Sequence, residues 1–234
     1  MATKIRHPAK YTDTFIPIFA SYLYGYKDNG YDLVYENILD PFGGTGKIGE
    51  IKEYGYNGNI FTCEIEKEWV EESTKNPKVD FSIHGDSADM SSWAKDDMFD
   101  AIVTSPVYGN RMSDQYHIKD DSKRITYQAY LGRFLHKNNS GGMNWGSKYR
   151  DLHRKVYNEC KRVLRPNGRF ILNISNHIRK GEEVPVDKFH IETLDELGFK
   201  MKDRLFIETP RLRHGANSKL RVKFEQIIIF DLKK

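Results

Sequence analysis

Cysteine is scarce: only Cys63 and Cys160 occur in 234 residues. Two isolated thiols build neither a disulfide framework nor a multi-cysteine metal site, so a reducing compartment is expected and zinc is not. No apolar run approaches the roughly 20 residues of a membrane-spanning helix, and the N-terminal stretch lacks the apolar core of a signal peptide. A soluble cytoplasmic protein without a membrane partner is therefore expected. A dominant charge is missing too, with 37 Lys and Arg against 33 Asp and Glu and a formal net charge of +4. On whole-chain grounds this barely favours a polyanionic partner. There is no internal repeat or low-complexity tract, and the length suits one domain spanning 1–234.

What the chain does have is a glycine-rich stretch, Asp40-Pro41-Phe42-Gly43-Gly44-Thr45-Gly46, preceded by the apolar residues Leu33, Val34, Tyr35, Ile38 and Leu39. This reads as a buried strand ending in a tight turn that lets a ligand approach the backbone, with a helix expected from Lys47. Free N–H groups in such a turn suit a polar or anionic ligand, but the Asp40 carboxylate would repel phosphate and attract a cation or hydrogen-bond donors. A nucleoside triphosphate loop also fails on spacing. Ile48 stands where a Ser or Thr would hold magnesium, and Pro41 where the first glycine is required. Gly44, Gly46 and Gly49 do satisfy the dinucleotide pattern, and Glu64 ends the next apolar strand, Asn59 to Glu64, where an acid binds ribose hydroxyls. That pattern alone leaves open a nicotinamide-dependent oxidoreductase or a turn with purely structural glycines.

Strand and helix alternate around this turn. A helix is expected from Thr12 or Asp13, carrying Phe15, Ile16, Phe19, Tyr22 and Leu23, then helices over 47–55 and from Lys67 to Thr74. A strand from Val79 to Ile83 leads into Gly85-Asp86, and another from Phe99 to Thr104 ends in Ser105-Pro106-Val107-Tyr108. Leu152, Val156, Cys160 and Val163 stripe one helix, stopped by Pro166-Asn167-Gly168. A strand from Arg169 to Ile174 follows, with His177 read as a loop residue rather than a base. A helix from Val186 to Leu197 and strands around Arg204 to Ile207 and Phe224 to Phe230 finish the chain. This order predicts an α/β fold with a doubly wound, mostly parallel seven-stranded sheet and a C-terminal antiparallel hairpin.

Positive charge collects late. From Gly109 to Arg150 eight Lys and Arg face three Asp, and from Lys200 to Lys223 eight face two acids. Residues 109–150 are irregular and mix aromatics with basic side chains, a combination that stacks bases and holds phosphates. They are the candidate target-recognition insertion, with a solvated lid as the plainer alternative. Nucleic-acid contacts are expected from Arg111, Arg124, Arg133 and Trp145, and from a second basic loop bearing Arg211, Arg213, Asn217 and Arg221.

The Asp-Pro-Phe prefix of the turn resembles the cofactor loop of S-adenosylmethionine-dependent methyltransferases that act on amino groups of nucleic-acid bases. Ser105-Pro106-Val107-Tyr108 resembles the Ser form of their catalytic motif, an acceptor residue, two prolines and an aromatic. His7-Pro8-Ala9-Lys10-Tyr11 is similar to the segment that closes over the methionine end of the cofactor. Val163 to Gly168, and Gly215 to Glu225, are similar to later parts of small bacterial and phage DNA methyltransferases. The resemblance implies a Rossmann-like class I methyltransferase, S-adenosylmethionine as cofactor, no metal, and DNA or RNA as partner. It implies cofactor contacts from Lys10, Tyr11, Asp40, Phe42, Gly44, Gly46, Glu64, Asp86 and Thr104, with Glu64 preferred to Glu66 at the ribose and Asp86 accepting from the adenine amine.

The catalytic residues expected are Ser105, Pro106 and Tyr108. The lone pair of an exocyclic base amine is delocalised into the ring, so acceptors must orient its hydrogens and favour a pyramidal nitrogen. The Ser105 hydroxyl oxygen and the Pro106 carbonyl supply them, and Tyr108 stacks on the base. A paired base would have to be flipped out at a cost of roughly a few kcal/mol, against stacking worth about 1–3 kcal/mol. Neither cysteine follows a proline, which argues against cytosine-C5 methylation through a thiolate adduct. Val107 stands where the family has its second proline, so the loop lacks one ring constraint. Ser at the first motif position favours cytosine N4 over adenine N6. The expectation is a site-specific DNA methyltransferase acting on cytosine N4. The alternatives are an adenine-N6 enzyme, an RNA amino-methyltransferase and a catalytically weak DNA-binding protein.

Overall fold

The computed structural model describes residues 13–27, 30–33, 35–109, 127, 131–209 and 220–234. Its centre is a seven-stranded sheet made of β3 (Asn37–Asp40), β4 (Asn59–Glu64), β5 (Phe81–His84), β6 (Phe99–Thr104), β7 (Leu164–Ile174), β10 (Phe199–Glu208) and β11 (Phe224–Leu232), in the order β10-β11-β7-β6-β3-β4-β5. The five strands from β7 to β5 run parallel, and β11 and β10 close the edge antiparallel. Strand order reverses between β3 and β6, and in open α/β sheets ligands bind at the carboxyl ends beside such a switch point.

The sheet buries both faces because its strands are apolar at successive positions. On one face Leu39, Ile102, Phe170, Leu172 and Ile228 pack with Val156, Tyr157, Cys160 and Val163 of α3 (Ser147–Val163) and Leu194 of α4 (Val186–Glu196). On the other, Ile38, Ala101, Val103, Ile171, Ile227 and Ile229 meet Phe15, Ile16 and Phe19 of α1 (Phe15–Ser21) and Ile48 and Ile51 of the 3-10 helix Lys47–Tyr54. Each large side chain so buried contributes about 1.5–3 kcal/mol. The helix α2 (Lys67–Thr74) buries Trp69, whose ring meets that of Tyr127 edge-on at 5.3 Å.

Four elements differ from the sequence reading. The chain before β3 forms a hairpin, β1 (Tyr24–Lys27) with β2 (Gly30–Leu33), where one long apolar strand was expected. Asp28, Asn29 and Gly30 are residue types that favour hairpin connections. The segment after the glycine turn is a 3-10 helix, framed by Gly46 at φ +75° and Gly55 at φ +90°. Strand β7 begins at Leu164, because Pro166-Asn167-Gly168 bulges the strand and leaves it unbroken: its pairing jumps from Phe99↔Leu164 to Ala101↔Arg169, with Asn167 at φ +60°. His177 opens a short strand, β8 (His177–Arg179), paired with β9 (Glu182–Val184).

Candidate active site

The carboxyl ends of β3, β4 and β6 place Asp40, Glu64 and Thr104 side by side. Asp40 is buried, and its Oδ1 accepts from the Phe42 N–H at 3.0 Å and from the Thr104 hydroxyl at 2.8 Å. The two central strands pair only at Ile38↔Ala101 and Leu39↔Ile102, so this side-chain bond spans them where backbone pairing has ended. The glycine turn then folds onto β4. A Cβ on Gly43 would lie 2.5 Å from the Thr62 Cβ, and one on Gly46 would lie 2.6 Å from the Ser73 Oγ, so only glycine allows this approach. Gly49 belongs to the helix contact instead, since its Cβ would sit 3.0 Å from the Lys78 Cβ. The third glycine of the dinucleotide pattern thus packs against a neighbouring segment.

Glu64 accepts from the Gly44 N–H at 3.0 Å and the Glu66 N–H at 2.8 Å. Asp86 lies beyond β5 and accepts from the Ala88 N–H at 2.9 Å. Ser87 ties this loop to the glycine turn by donating to the Pro41 carbonyl at 2.5 Å. Lys47, the first cation after the turn, spends its charge on Asp13 at 2.8 Å and Glu50 at 2.5 Å. The donor set at the strand tips is therefore carboxylates and backbone N–H groups. It fits a ligand that brings ribose hydroxyls, an amine and a positive centre, as S-adenosylmethionine does, and it opposes the pyrophosphate of a nicotinamide dinucleotide. Lys10 and Tyr11, expected at the methionine end, lie outside the described residues.

Burial pushes the Glu64 carboxyl up to about 7, while the Glu66 and Gly44 N–H groups pull it down. The folded value exceeds that of an unfolded carboxyl, so the folded protein holds a proton that the unfolded chain releases. The stability this gives is present below the ordinary carboxyl pKa and is lost as pH rises through about 7. Hydroxyl donors favour the charged form. The cofactor-free melting temperature is expected to fall between about pH 5 and pH 8 while S-adenosylmethionine affinity rises over the same interval, and Glu64→Gln to flatten both. Melting curves and calorimetric titrations across that range check this.

Ser105 follows Thr104 directly. Its hydroxyl donates to the Asn173 Oδ1 at 2.9 Å, and the Tyr108 hydroxyl reaches the Glu225 Oε2 at 2.8 Å and the Asn173 Oδ1 at 3.2 Å. Asn173 and Glu225, both buried, sit on the adjacent strands β7 and β11. Sequence reasoning missed them as site residues. Their only local signal is polarity inside apolar runs, Asn173 in Phe170 to Ile174 and Glu225 before Ile227 to Phe230.

The loop is held from below at Val107. The Tyr149 hydroxyl donates to the Val107 carbonyl at 2.6 Å and lies 3.0 Å from the His190 Nε2, while the Tyr157 hydroxyl lies 2.6 Å from the His190 Nδ1. With its one proton given to Val107, Tyr149 must accept from His190, which fixes the tautomer: Nε2 donates and Nδ1 accepts from Tyr157. Burial holds the His190 pKa well below the usual imidazole value, keeping the ring neutral as this chain requires. Tyr149 thus supplies by hydrogen bond part of the rigidity that a proline ring would give at position 107. Tyr149→Phe is expected to lower kcat by roughly 10-fold, the equivalent of a lost buried hydrogen bond, with cofactor affinity unchanged. Steady-state kinetics beside calorimetry check it.

Residues 133–139, within the stretch expected to be an insertion, are fastened to Glu66, Glu68 and Asp86. Buried Glu66 accepts from the His136 N–H at 2.7 Å and the Asn139 amide at 2.9 Å, and pairs with Arg133 at 2.8 Å. Arg133 also pairs with Glu68 at 2.5 Å, and Asn138 donates to Asp86 at 2.7 Å. Glu64 and Glu66 therefore divide the work, one facing the glycine turn and the other residues 133–139. Trp145 packs edge-on against Phe189 at 5.7 Å, and a Cβ on Gly109 would meet it at 3.2 Å, so its ring closes the end of that stretch. Arg133 and Trp145 both have anchoring partners in the fold, and Arg221 is exposed. Arg111, Arg124, Arg211, Arg213 and Asn217 lie outside the described residues. Among the described residues no His, Cys, Asp and Glu cluster could hold a metal ion, and no helix is long and apolar enough to cross a membrane.

The model of a family of N6 and N4 methyltransferases, described as DNA methylase, matches residues 99–234, from β6 to the last residue. None of the curated proteins matches the chain by sequence. By structure the chain is similar to the PH0226 protein of Pyrococcus horikoshii OT3, at TM-score 0.54 and 14% identity, covering 94% of this chain and 89% of that one. It is similar also to an S-adenosylmethionine-dependent methyltransferase of Methanosarcina mazei, at TM-score 0.53 and 13% identity over 86% and 94% of the two chains. TrmN of Thermus thermophilus gives TM-score 0.51 and 12% identity over 84% of this chain and 44% of its own. These likenesses identify the fold as the Rossmann-like class I methyltransferase fold.

Proposed function

The chain belongs to the N6/N4 DNA methylase family, amino-methyltransferases that use S-adenosylmethionine, and from that premise we propose that it methylates the exocyclic amine of a base in DNA, cytosine N4 ahead of adenine N6. The observation that carries the reading is the adjacency of Thr104 and Ser105. Thr104 is bonded to Asp40 of the glycine turn, and the next residue presents the amine acceptor. Cofactor side and substrate side therefore meet at one peptide bond, the proximity a displacement in line needs.

When bound, S-adenosylmethionine would supply a methyl group on a positively charged sulfur, an electrophile that needs no metal; the sulfur would leave as a neutral thioether and the methylated amine would release one proton to solvent. Asp40, Glu64 and Asp86 give the pocket the negative character that suits a positive centre and hydroxyl donors. The Ser105 oxygen and the Pro106 carbonyl accept the two amine hydrogens and aim the nitrogen lone pair across the Thr104–Ser105 junction. Tyr108 offers its ring face to the base while its hydroxyl is tied to Glu225. In a duplex the target base leaves its stack, at a cost of roughly a few kcal/mol. His136 and Asn138, bonded to Glu66 and Asp86, support the reading of 109–150 as the segment that recognises the surrounding nucleotides. The preference for cytosine rests on serine at position 105.

The test is incubation with methyl-labelled cofactor and unmodified DNA, or RNA of the same sequence, followed by nucleoside mass spectrometry. N4-methylcytosine from DNA is the expected product. N6-methyladenine would overturn the choice of base, label in RNA alone would overturn the choice of substrate, and no label in either would overturn the proposal.

A further inference from the structure

Resting on the amine reading, we propose that Asn173, with Glu225 behind it, makes Ser105 an acceptor-only group and so restricts the reaction to amino groups. An amide oxygen carries no proton, so the 2.9 Å contact between the Ser105 Oγ and the Asn173 Oδ1 has Ser105 as donor. A hydroxyl has one proton. With it committed inward, Ser105 presents only lone pairs to the substrate.

The direction of that bond is built into the fold. The Asn173 Nδ2 donates to the Gln226 carbonyl at 3.2 Å and lies 3.5 Å from the Glu225 Oε2. Turning the amide over would set its oxygen against a carbonyl and a carboxylate, so the orientation follows from the network. The Tyr108 hydroxyl, within reach of Asn173 and Glu225 and 3.4 Å from the Ser105 Oγ, gives its one proton to the carboxylate at 2.8 Å, the stronger acceptor, and its longer contact with Ser105 is outmatched by the 2.9 Å bond from Ser105 to Asn173. Glu225 thereby keeps Tyr108 from competing for the Asn173 oxygen, and Ser105 holds that oxygen alone. Asn173 is 1% exposed and Glu225 8%, so water does not randomise these bonds.

The consequence is chemical selection. Cytosine and adenine offer N–H groups to the Ser105 and Pro106 oxygens, whereas uracil presents a carbonyl at the position of the cytosine amine and meets lone pairs with lone pairs. Leaving buried polar groups unpaired in this way is the basis of strong discrimination. Without Asn173 the hydroxyl is free to turn and donate, so the amine is held less well and a carbonyl is tolerated.

The experiment compares Asn173→Leu, Ser105→Ala and the double variant, with the substrate found by nucleoside analysis, measuring single-turnover rate, cofactor affinity and binding of oligonucleotides carrying cytosine or uracil at the target. We expect Asn173→Leu to slow transfer by roughly 10- to 100-fold with cofactor affinity unchanged. The double variant should be no slower than Ser105→Ala, because Asn173 acts through that hydroxyl. Losses that multiply would overturn the proposal while leaving the amine reading intact. Should the Leu variant fail to fold, the wild type alone decides: it is expected to bind the cytosine oligonucleotide more tightly than the uracil one, and equal binding overturns the proposal. A wild type that transfers methyl to no base removes the amine reading and this role together.

Discussion

Ser105→Ala is expected to lower the rate of methyl transfer by at least about 100-fold and to leave S-adenosylmethionine binding at its wild-type level. The separation of effects follows from geometry. The Ser105 hydroxyl bonds inward to Asn173 on β7, whereas the carboxylates of the cofactor side are bonded to Thr104, to the glycine turn and to the loop after β5. Removing one oxygen therefore takes away an acceptor that matters as the amine becomes pyramidal, and leaves the strand tip intact. Single-turnover kinetics beside a calorimetric titration check it, and an alanine variant with full activity would end the catalytic role.

Asp40→Ala is expected to act on the other half of the site. It strips two donors of their partner at a buried position, the Phe42 N–H and the Thr104 hydroxyl. At about 1–3 kcal/mol for each orphaned group, the loss is a large share of the 5–15 kcal/mol that holds a typical domain together. Cofactor affinity falls as well, by at least about 100-fold, because the turn is no longer fastened to β6 and the negative charge is gone. Asp40→Asn keeps an oxygen for both donors and should retain most of the stability while losing affinity. Thermal melts and titrations of the two variants separate fastening from charge.

Much of the frame was legible because each strand tip coincides with a change of residue chemistry. Apolar runs stop at Asp40, Glu64 and Thr104, and proline follows within two residues at Asp40 and at Thr104. Both turn motifs could be read for the same reason, since their side chains and backbone bonds are local. The mostly parallel seven-stranded sheet followed from alternation of strand and helix, and the antiparallel edge from two final strands with no helix between them; the order of the strands came only with the structure.

What stayed hidden is long-range. Asn173 and Glu225 are 52 positions apart and meet because β7 and β11 pair; nothing within either strand says which neighbour each will face. Tyr149, Tyr157 and His190 read as ordinary positions on amphipathic helices, and only the packing of α3 against α4 turns them into a chain reaching Val107. Glu66 looked like the weaker of two acids near a strand end, yet it is buried and holds residues 136 and 139 by hydrogen bonds. The bulge at Pro166-Asn167-Gly168 shows the opposite error, in which strong turn residues are absorbed by a strand whose apolar flanks are buried on both sides.

The central claim is that the methyl group goes to an exocyclic nitrogen held by Ser105. The most direct measurement uses DNA whose cytosine amino groups carry nitrogen-15, treated with the protein and carbon-13 methyl-labelled cofactor, and then examined by NMR. Coupling between the labelled methyl carbon and the labelled nitrogen is predicted, and it should vanish in Ser105→Ala. Label attached to a ring carbon, or coupling undiminished in the alanine variant, would contradict it.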